Sequence, residues 1–184
     1  MDPIVEAAMR KWPRVPHCHG WLALDARGQW YMRDDAAQAA GDFPAVKGSM
    51  VRHDKLREFI HRNYLRDAQG AAYFQNGPQR VYVDLEVAPY VWRIDRTTAG
   101  WEVRAHTGEL TSDVQSAWLD ESGRLFLQCL LPSVGPAFGI VHTLDMAAAA
   151  DAVEAGHWDP RPCCFDDLPA RFGYVLRPRA ENPA

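Results

Sequence analysis

Short runs of alternating apolar and polar residues, several of them preceded by an Asp and a Gly three positions apart, dominate this chain. Leu24-Asp25-Ala26-Arg27-Gly28-Gln29-Trp30-Tyr31-Met32 and Leu119-Asp120-Glu121-Ser122-Gly123-Arg124-Leu125-Phe126-Leu127 are two such phrases. Asp67-Ala68-Gln69-Gly70, running into Ala71-Ala72-Tyr73-Phe74, is a looser third. Asp at the first position of a type I turn caps the turn, and Gly at the fourth takes the positive φ of a hairpin bulge. After the Gly, Trp30 and Met32, or Leu125 and Leu127, fall on one face at the two-residue period of a strand. The pattern predicts repeated β-hairpins.

Between them the period changes. Asp2 as cap and Pro3 at the first helical position predict a short helix to Lys11. A hairpin follows over 20–33, then a helical turn at 35–40 behind Asp34. Leu56, Phe59, Ile60 and Tyr64 lie on one face of a helix over His53–Tyr64, with Glu58 and Arg62 as an i,i+4 pair. Strands over 72–75 and 80–85 flank Asn76-Gly77, a strong hairpin signal. Further strands are expected at 90–94, 101–105 and 139–143, with a hairpin over 117–129. Asp145 is read as the cap of a helix over 146–155, and Phe172–Arg177 as a last strand before a frayed tail. The expected core is Leu56, Phe59, Ile60, Val81, Val83, Val91, Leu125 and Leu127.

Both halves run hairpin, helix and a closing Tyr-Val-x-Arg segment, at Tyr90 to Arg93 and Tyr174 to Arg177. The fold expected is therefore α+β: two similar lobes from an internal duplication, each a small antiparallel sheet packed by one main helix. The expected boundaries are an N-terminal helix and loop over 1–19, a first lobe over 20–108, a second, shortened lobe over 109–178 and a tail over 179–184.

Composition narrows the function classes. At 184 residues the chain is long enough for a sizeable core, and 47% hydrophobic with 24% charged residues is ordinary for a globular protein. A formal charge of −4 argues against nucleic acid as a partner, although all but three of the 20 basic residues are Arg. No apolar run reaches the ~18 residues of a membrane span, so no membrane partner is expected. The first residues lack a basic region followed by an apolar stretch, and the four cysteines lack the spacing of a disulfide framework. These features predict a cytoplasmic, reduced protein. Oligomeric state is not legible.

Four segments carry a resemblance: Gly20-Trp21-Leu22-Ala23-Leu24-Asp25, Phe59-Ile60-His61-Arg62-Asn63-Tyr64-Leu65, Tyr73-Phe74-Gln75-Asn76-Gly77-Pro78-Gln79-Arg80-Val81-Tyr82-Val83, and Leu168-Pro169-Ala170-Arg171-Phe172-Gly173-Tyr174-Val175. In these the chain resembles an uncharacterised proteobacterial family of unknown function. More loosely, it resembles a second unknown-function family built from repeated α+β motifs, and that resemblance implies a role in signalling. None of the shared motifs is a catalytic signature.

Candidate chemistry is sparse. Val134-Gly135-Pro136-Ala137-Phe138-Gly139 has two glycines but no Lys and no helix start, which excludes a P-loop, and no Gly-x-Ser-x-Gly elbow exists. Asp84 and Glu86, with Arg80 and Tyr82, share a strand face and are read as a solvated patch paired with Arg93. Cys129 is read as a buried small hydrophobe. His17-Cys18-His19, with Cys163-Cys164 and His157, supplies metal-ligand and thiol types, although not the usual zinc spacing. Asn76, Gln79 and Arg80 sit on a rigidly held polar loop and are the candidate ligand-binding residues. Two readings stay open. One is a non-catalytic module, without cofactor or metal, binding a protein or small molecule. The other is a metal- or thiol-dependent enzyme using His17, Cys18 and His19.

Overall fold

The computed structural model describes residues 1–98 and 100–180, so Ala99 in the expected turn and residues 181–184 of the expected tail lie outside the described residues. The chain is α+β, with two mixed sheets and few helices. It divides into two units. The first comprises Met1–Asp25, Gln29–Glu86 and the described residues from Tyr174 onward, and the second Ala26–Gly28 and Val87–Gly173.

The first unit contains α1 (Pro3–Lys11), β1 (Cys18–Leu24), β2 (Trp30–Met32), α2 (Asp35–Ala40), β3 (Ser49–Met50), α3 (Asp54–Arg62), β4 (Tyr64–Arg66), β5 (Ala72–Asn76) and β6 (Gln79–Leu85). Its sheet has the order β3-β2-β1-β6-β5-β4. All neighbours are antiparallel except the central pair, β1 and β6, which run parallel. The second unit contains β7 (Tyr90–Thr97), β8 (Gly100–Ala105), β9 (Leu110–Thr111), β10 (Val114–Leu119), β11 (Leu125–Leu131), β12 (Gly135–Val141), α4 (Met146–Glu154), β13 (Pro160–Pro162) and α5 (Leu168–Phe172). Its sheet has the order β13-β10-β11-β12-β7-β8-β9, with β12 and β7 as its central parallel pair.

Without β13, the two sheets have one topology: an antiparallel meander of three strands, joined through a parallel pair to a second such meander. The correspondence runs β1–β6 to β7–β12. It matches the Asp67 turn, between β4 and β5, to the Asp120 turn, between β10 and β11. The equivalence expected from sequence, Leu24–Met32 with Leu119–Leu127, is not the one the strand order gives. The main helices also differ in position, because α3 precedes β4 whereas α4 follows β12. Strands 90–105 belong to the second unit, since β7 pairs with β12, 45 or more residues on. Residues after Gly173 return to the first unit, where Val175 bridges Ala71 and the Leu85 N–H donates to the Leu176 carbonyl at 2.8 Å. The expected boundary at 108 missed both, because sequence proximity carries no information on parallel pairing.

The three Asp-x-x-Gly turns share one geometry. Asp67 Oδ1 accepts from the Gln69 and Ala71 N–H groups, and Asp120 Oδ1 from those of Ser122 and Arg124. Asp25 Oδ1 accepts from the Gln29 N–H at 2.9 Å. The glycines Gly28, Gly70 and Gly123 have φ of 75°, 84° and 74°, the left-handed region where a Cβ is strained. A different constraint holds Gly139, whose added Cβ would lie 2.5 Å from the Tyr90 carbonyl oxygen and 2.7 Å from Trp92 Nε1. Bare backbone at that position lets β12 lie close to β7. The second unit's core is aromatic: Trp92, Phe126 and Phe138 are fully buried, and the Trp92 indole N–H donates to the Leu127 carbonyl at 3.0 Å.

Several capping and pairing expectations are corrected. Asp2 stands at the N-cap of α1 as expected, but its side chain makes no capping bond and pairs with Arg62 instead, leaving the expected Glu58–Arg62 pair aside. Asp145 caps nothing with its side chain; it accepts from Arg93 Nε at 2.5 Å and from the Ile94 N–H at 3.1 Å. Arg93 is therefore not the partner of Asp84, which is buried and ion-paired with Arg33 and Arg179, each at 3.5 Å. Burial pushes the Asp84 carboxyl up, against the opposing pull of Arg179 and Arg33. Phe172 ends a helix rather than starting a strand, because Gly173 takes φ 61° and closes α5. Of the expected core, Ile60, Val83, Val91, Leu125 and Leu127 are buried, whereas Leu56, Phe59 and Val81 are half-buried. Among the described residues, no helix is long and apolar enough to cross a membrane.

Candidate functional site

The half-buried apolar residues share one place. Along β1 and β6 alternate side chains leave opposite faces of the first unit's sheet. On one face, Cys18 and Val81 are register partners. Together with Leu56 and Phe59 of α3, Phe74 of β5 and Met32 of β2, they line a groove of about 270 Å³. Phe59 packs edge-on to Phe74 at 5.3 Å, which holds that wall in place. Trp21 and Met32, which also line the groove, are 42% and 51% exposed. Asn76 and Gln79 supply the groove's polar end. The Gln79 amide donates to the Pro16 carbonyl at 3.0 Å, leaving its oxygen as an acceptor.

An internal bond ties α3 to β2. The Trp30 indole N–H donates to His61 Nε2 at 2.9 Å, with Tyr64 edge-on to Trp30 at 5.5 Å. Burial, with Arg57 nearby, pushes the His61 imidazole down to about 4, so the ring is neutral and keeps its acceptor nitrogen.

The opposite face carries different chemistry. His17, His19, Asp67, Gln69, Tyr82 and Arg179 line a recess of about 520 Å³. His19 stacks on Tyr82 with centroids 4.5 Å apart and planes 10° apart, and His17 meets the same ring edge-on at 5.9 Å. The Tyr82 hydroxyl donates to Asp67 Oδ2 at 3.1 Å, and burial raises its pKa. Burial lowers the His19 imidazole, helped by His17 and Arg179.

The loop expected to bind ligand is thus split by the strand period. Asn76 and Gln79 reach the groove, whereas Arg80 turns to the other face, its guanidinium 4.7 Å from the Tyr73 ring centroid. His17-Cys18-His19 is split in the same way: the two imidazoles line the recess and the thiol lines the groove. Cys163, Cys164 and His157 belong to the second unit. All four cysteines are free, and among the described residues no three His, Cys, Asp or Glu side chains are grouped to hold a metal ion. Burial pushes the thiols of Cys129, to about 12, and Cys163 upward, away from thiolate chemistry. Sequence reasoning missed the groove because Leu56, Phe59 and Val81 have the spacing of core residues. It missed Arg179 because that residue was assigned to the tail.

Two solved structures resemble the chain, both from a second family of unknown function. A DUF1285 family protein from Silicibacter pomeroyi DSS-3 is 9% identical over 82% of this chain and 75% of that one, with a TM-score of 0.49. A DUF1285 family protein from Shewanella baltica OS155 is 14% identical over 71% of this chain and 91% of that one, with a TM-score of 0.48. No curated protein matches the chain. The match that spans nearly its whole length is to a family, and on it the chain belongs to DUF2944, described as "Protein of unknown function (DUF2946)", over residues 1–179.

Proposed function

We propose that the chain is a non-catalytic binding module whose first unit takes a small, uncharged and mostly apolar ligand in the groove against α3. The observation that carries this reading is the partial exposure of Trp21, Met32, Leu56, Phe59 and Val81 around one concavity, with few polar groups at its edge. Ligand sites commonly have this composition: apolar walls for affinity and a few polar atoms for orientation. A volume of about 270 Å³ suits a ring system or a short alkyl chain. Burying ~150 Å² of apolar surface there contributes about 4 kcal/mol, before the costs of association. Asn76 and Gln79 would orient a hydroxyl or carbonyl. The shared strand order of the two sheets supports the further reading that they arose by duplication, with β1–β6 corresponding to β7–β12.

Neutral probes test the groove. Thermal shift and calorimetric titration with 1-naphthol and n-decanol are expected to give saturable binding, and the bound probe to protect Cys18 from iodoacetamide. Val81→Trp fills the groove and is expected to abolish both effects while the protein stays folded by circular dichroism. Failure of both probes to bind, or equal binding by Val81→Trp without Cys18 protection, refutes the reading.

A further inference from the structure

We propose that the recess on the other face of the same sheet is a second site, which takes a small organic anion, a carboxylate or phosphate group held between Arg179 and the imidazoles of His17 and His19. Four segments build it: the start of β1 with the residue before it, the turn between β4 and β5, Tyr82 of β6, and the stretch from Val175 to Ala180. The one carboxylate among its lining residues is already engaged. Asp67 accepts two backbone N–H groups on Oδ1 and the Tyr82 hydroxyl on Oδ2.

The other polar side chains have capacity to spare. Among the described residues, His17 and His19 make ring contacts with Tyr82 and no hydrogen bond through their ring nitrogens, and the Gln69 side-chain amide has no partner. Arg179 meets Asp84 at 3.5 Å and Asp42 at 3.8 Å, long contacts that leave most of its five donors available. Around it Arg33, Arg177 and Arg179 face Asp42 and Asp84, and with Asp67 in the recess wall three cations meet three carboxylates. A guanidinium fork flanked by imidazole N–H donors is suited to an oxyanion. The flat stack of His19 on Tyr82, with Val175 and Pro178 as apolar wall, leaves room for an attached organic group in a volume of about 520 Å³. This site does not depend on the groove, which faces the other way and is tested with uncharged probes.

The test is an NMR titration of the histidine imidazoles with inorganic phosphate, with benzoate and with chloride, at constant ionic strength. Saturable shifts of His17 and His19 with either oxyanion are expected, with chloride moving neither. Binding is expected to raise the His19 titration midpoint, which burial, His17 and Arg179 hold low. Arg179→Gln is expected to weaken binding at least ~10-fold, about 1.4 kcal/mol. His17→Ala, at an exposed position, is a second variant expected to weaken it without affecting the fold. Response to phosphate alone or benzoate alone identifies the oxyanion, and either supports the site. No response to both, or the same response in Arg179→Gln and to chloride, overturns it.

Discussion

Acidification should destabilise the first unit through one residue, His61. Its Nε2 accepts the Trp30 indole N–H at 2.9 Å, so protonating that nitrogen breaks the bond and places a cation beside a fully buried indole. The folded imidazole is pushed from 6.5 to about 4, first by burial and then by Arg57. The sign follows from linkage. The folded pKa lies below the unfolded one, so the unfolded chain takes up the proton first. Stability is complete above pH 6.5 and is lost as pH falls toward 4. The gap between 6.5 and about 4 sets a ceiling of roughly 3 kcal/mol, at ~1.4 kcal/mol per pH unit. The ring is only half-buried, and solvent screening reduces the expected loss to ~1–2 kcal/mol between pH 7.5 and 4.5.

Other groups titrate in this range, and Asp84 acts with the opposite sign because its folded pKa is raised. The decisive quantity is therefore a difference. Urea unfolding of the natural protein and of His61→Gln, which keeps an acceptor for Trp30 and does not titrate, is measured at both pH values. The natural protein should lose ~1–2 kcal/mol more than the variant on acidification. Equal losses in the two proteins, or an NMR titration of the His61 ring with a midpoint near 6.5, would refute the argument.

Two further substitutions test the fold. Asp120→Ala removes the acceptor for the Ser122 and Arg124 N–H groups and for Arg124 Nε at 2.6 Å; a loss of ~1–3 kcal/mol is expected in urea unfolding, and less than ~0.5 kcal/mol would show that the turn holds without its carboxylate. Gly139→Ala drives a Cβ against the Tyr90 carbonyl at the central parallel pair, and should lower the melting temperature by ~10 °C or more or prevent folding, whereas a change of under ~2 °C would mean that β12 shifts freely.

Local chemistry was legible in the sequence; long-range pairing was not. The Asp25, Asp67 and Asp120 turns form as expected, because Asp and Gly act within five residues of each other. Leu125 and Leu127 are buried as their alternation implied. Parallel pairing of β1 with β6, and of β12 with β7, has no local signature, and it decides both the unit boundaries and the correspondence between halves. Asp84 shows the same limit: its partner Arg179 lies 95 positions away, so a buried ion pair resembled a solvated strand face.

The candidate sites turn on strand period more than on composition. His17, Cys18 and His19 are an attractive cluster only while the backbone is ignored, because successive side chains on extended chain point to opposite faces. The same rule separates Gln79 from Arg80 and Val81 from Tyr82. Once β1 and β6 are paired in parallel register, Cys18 meets Val81 on one face and His19 meets Tyr82 on the other. Each face then acquires a consistent character: thioether, thiol and hydrocarbon against α3, and imidazole, phenol and guanidinium opposite. A thiolate activated by His17 or His19 would need the thiol and the ring on the same side of the sheet, and this register puts the sheet between them. One pair of strands thus separates the residues a catalytic reading needs together and assembles the two sets a binding reading needs.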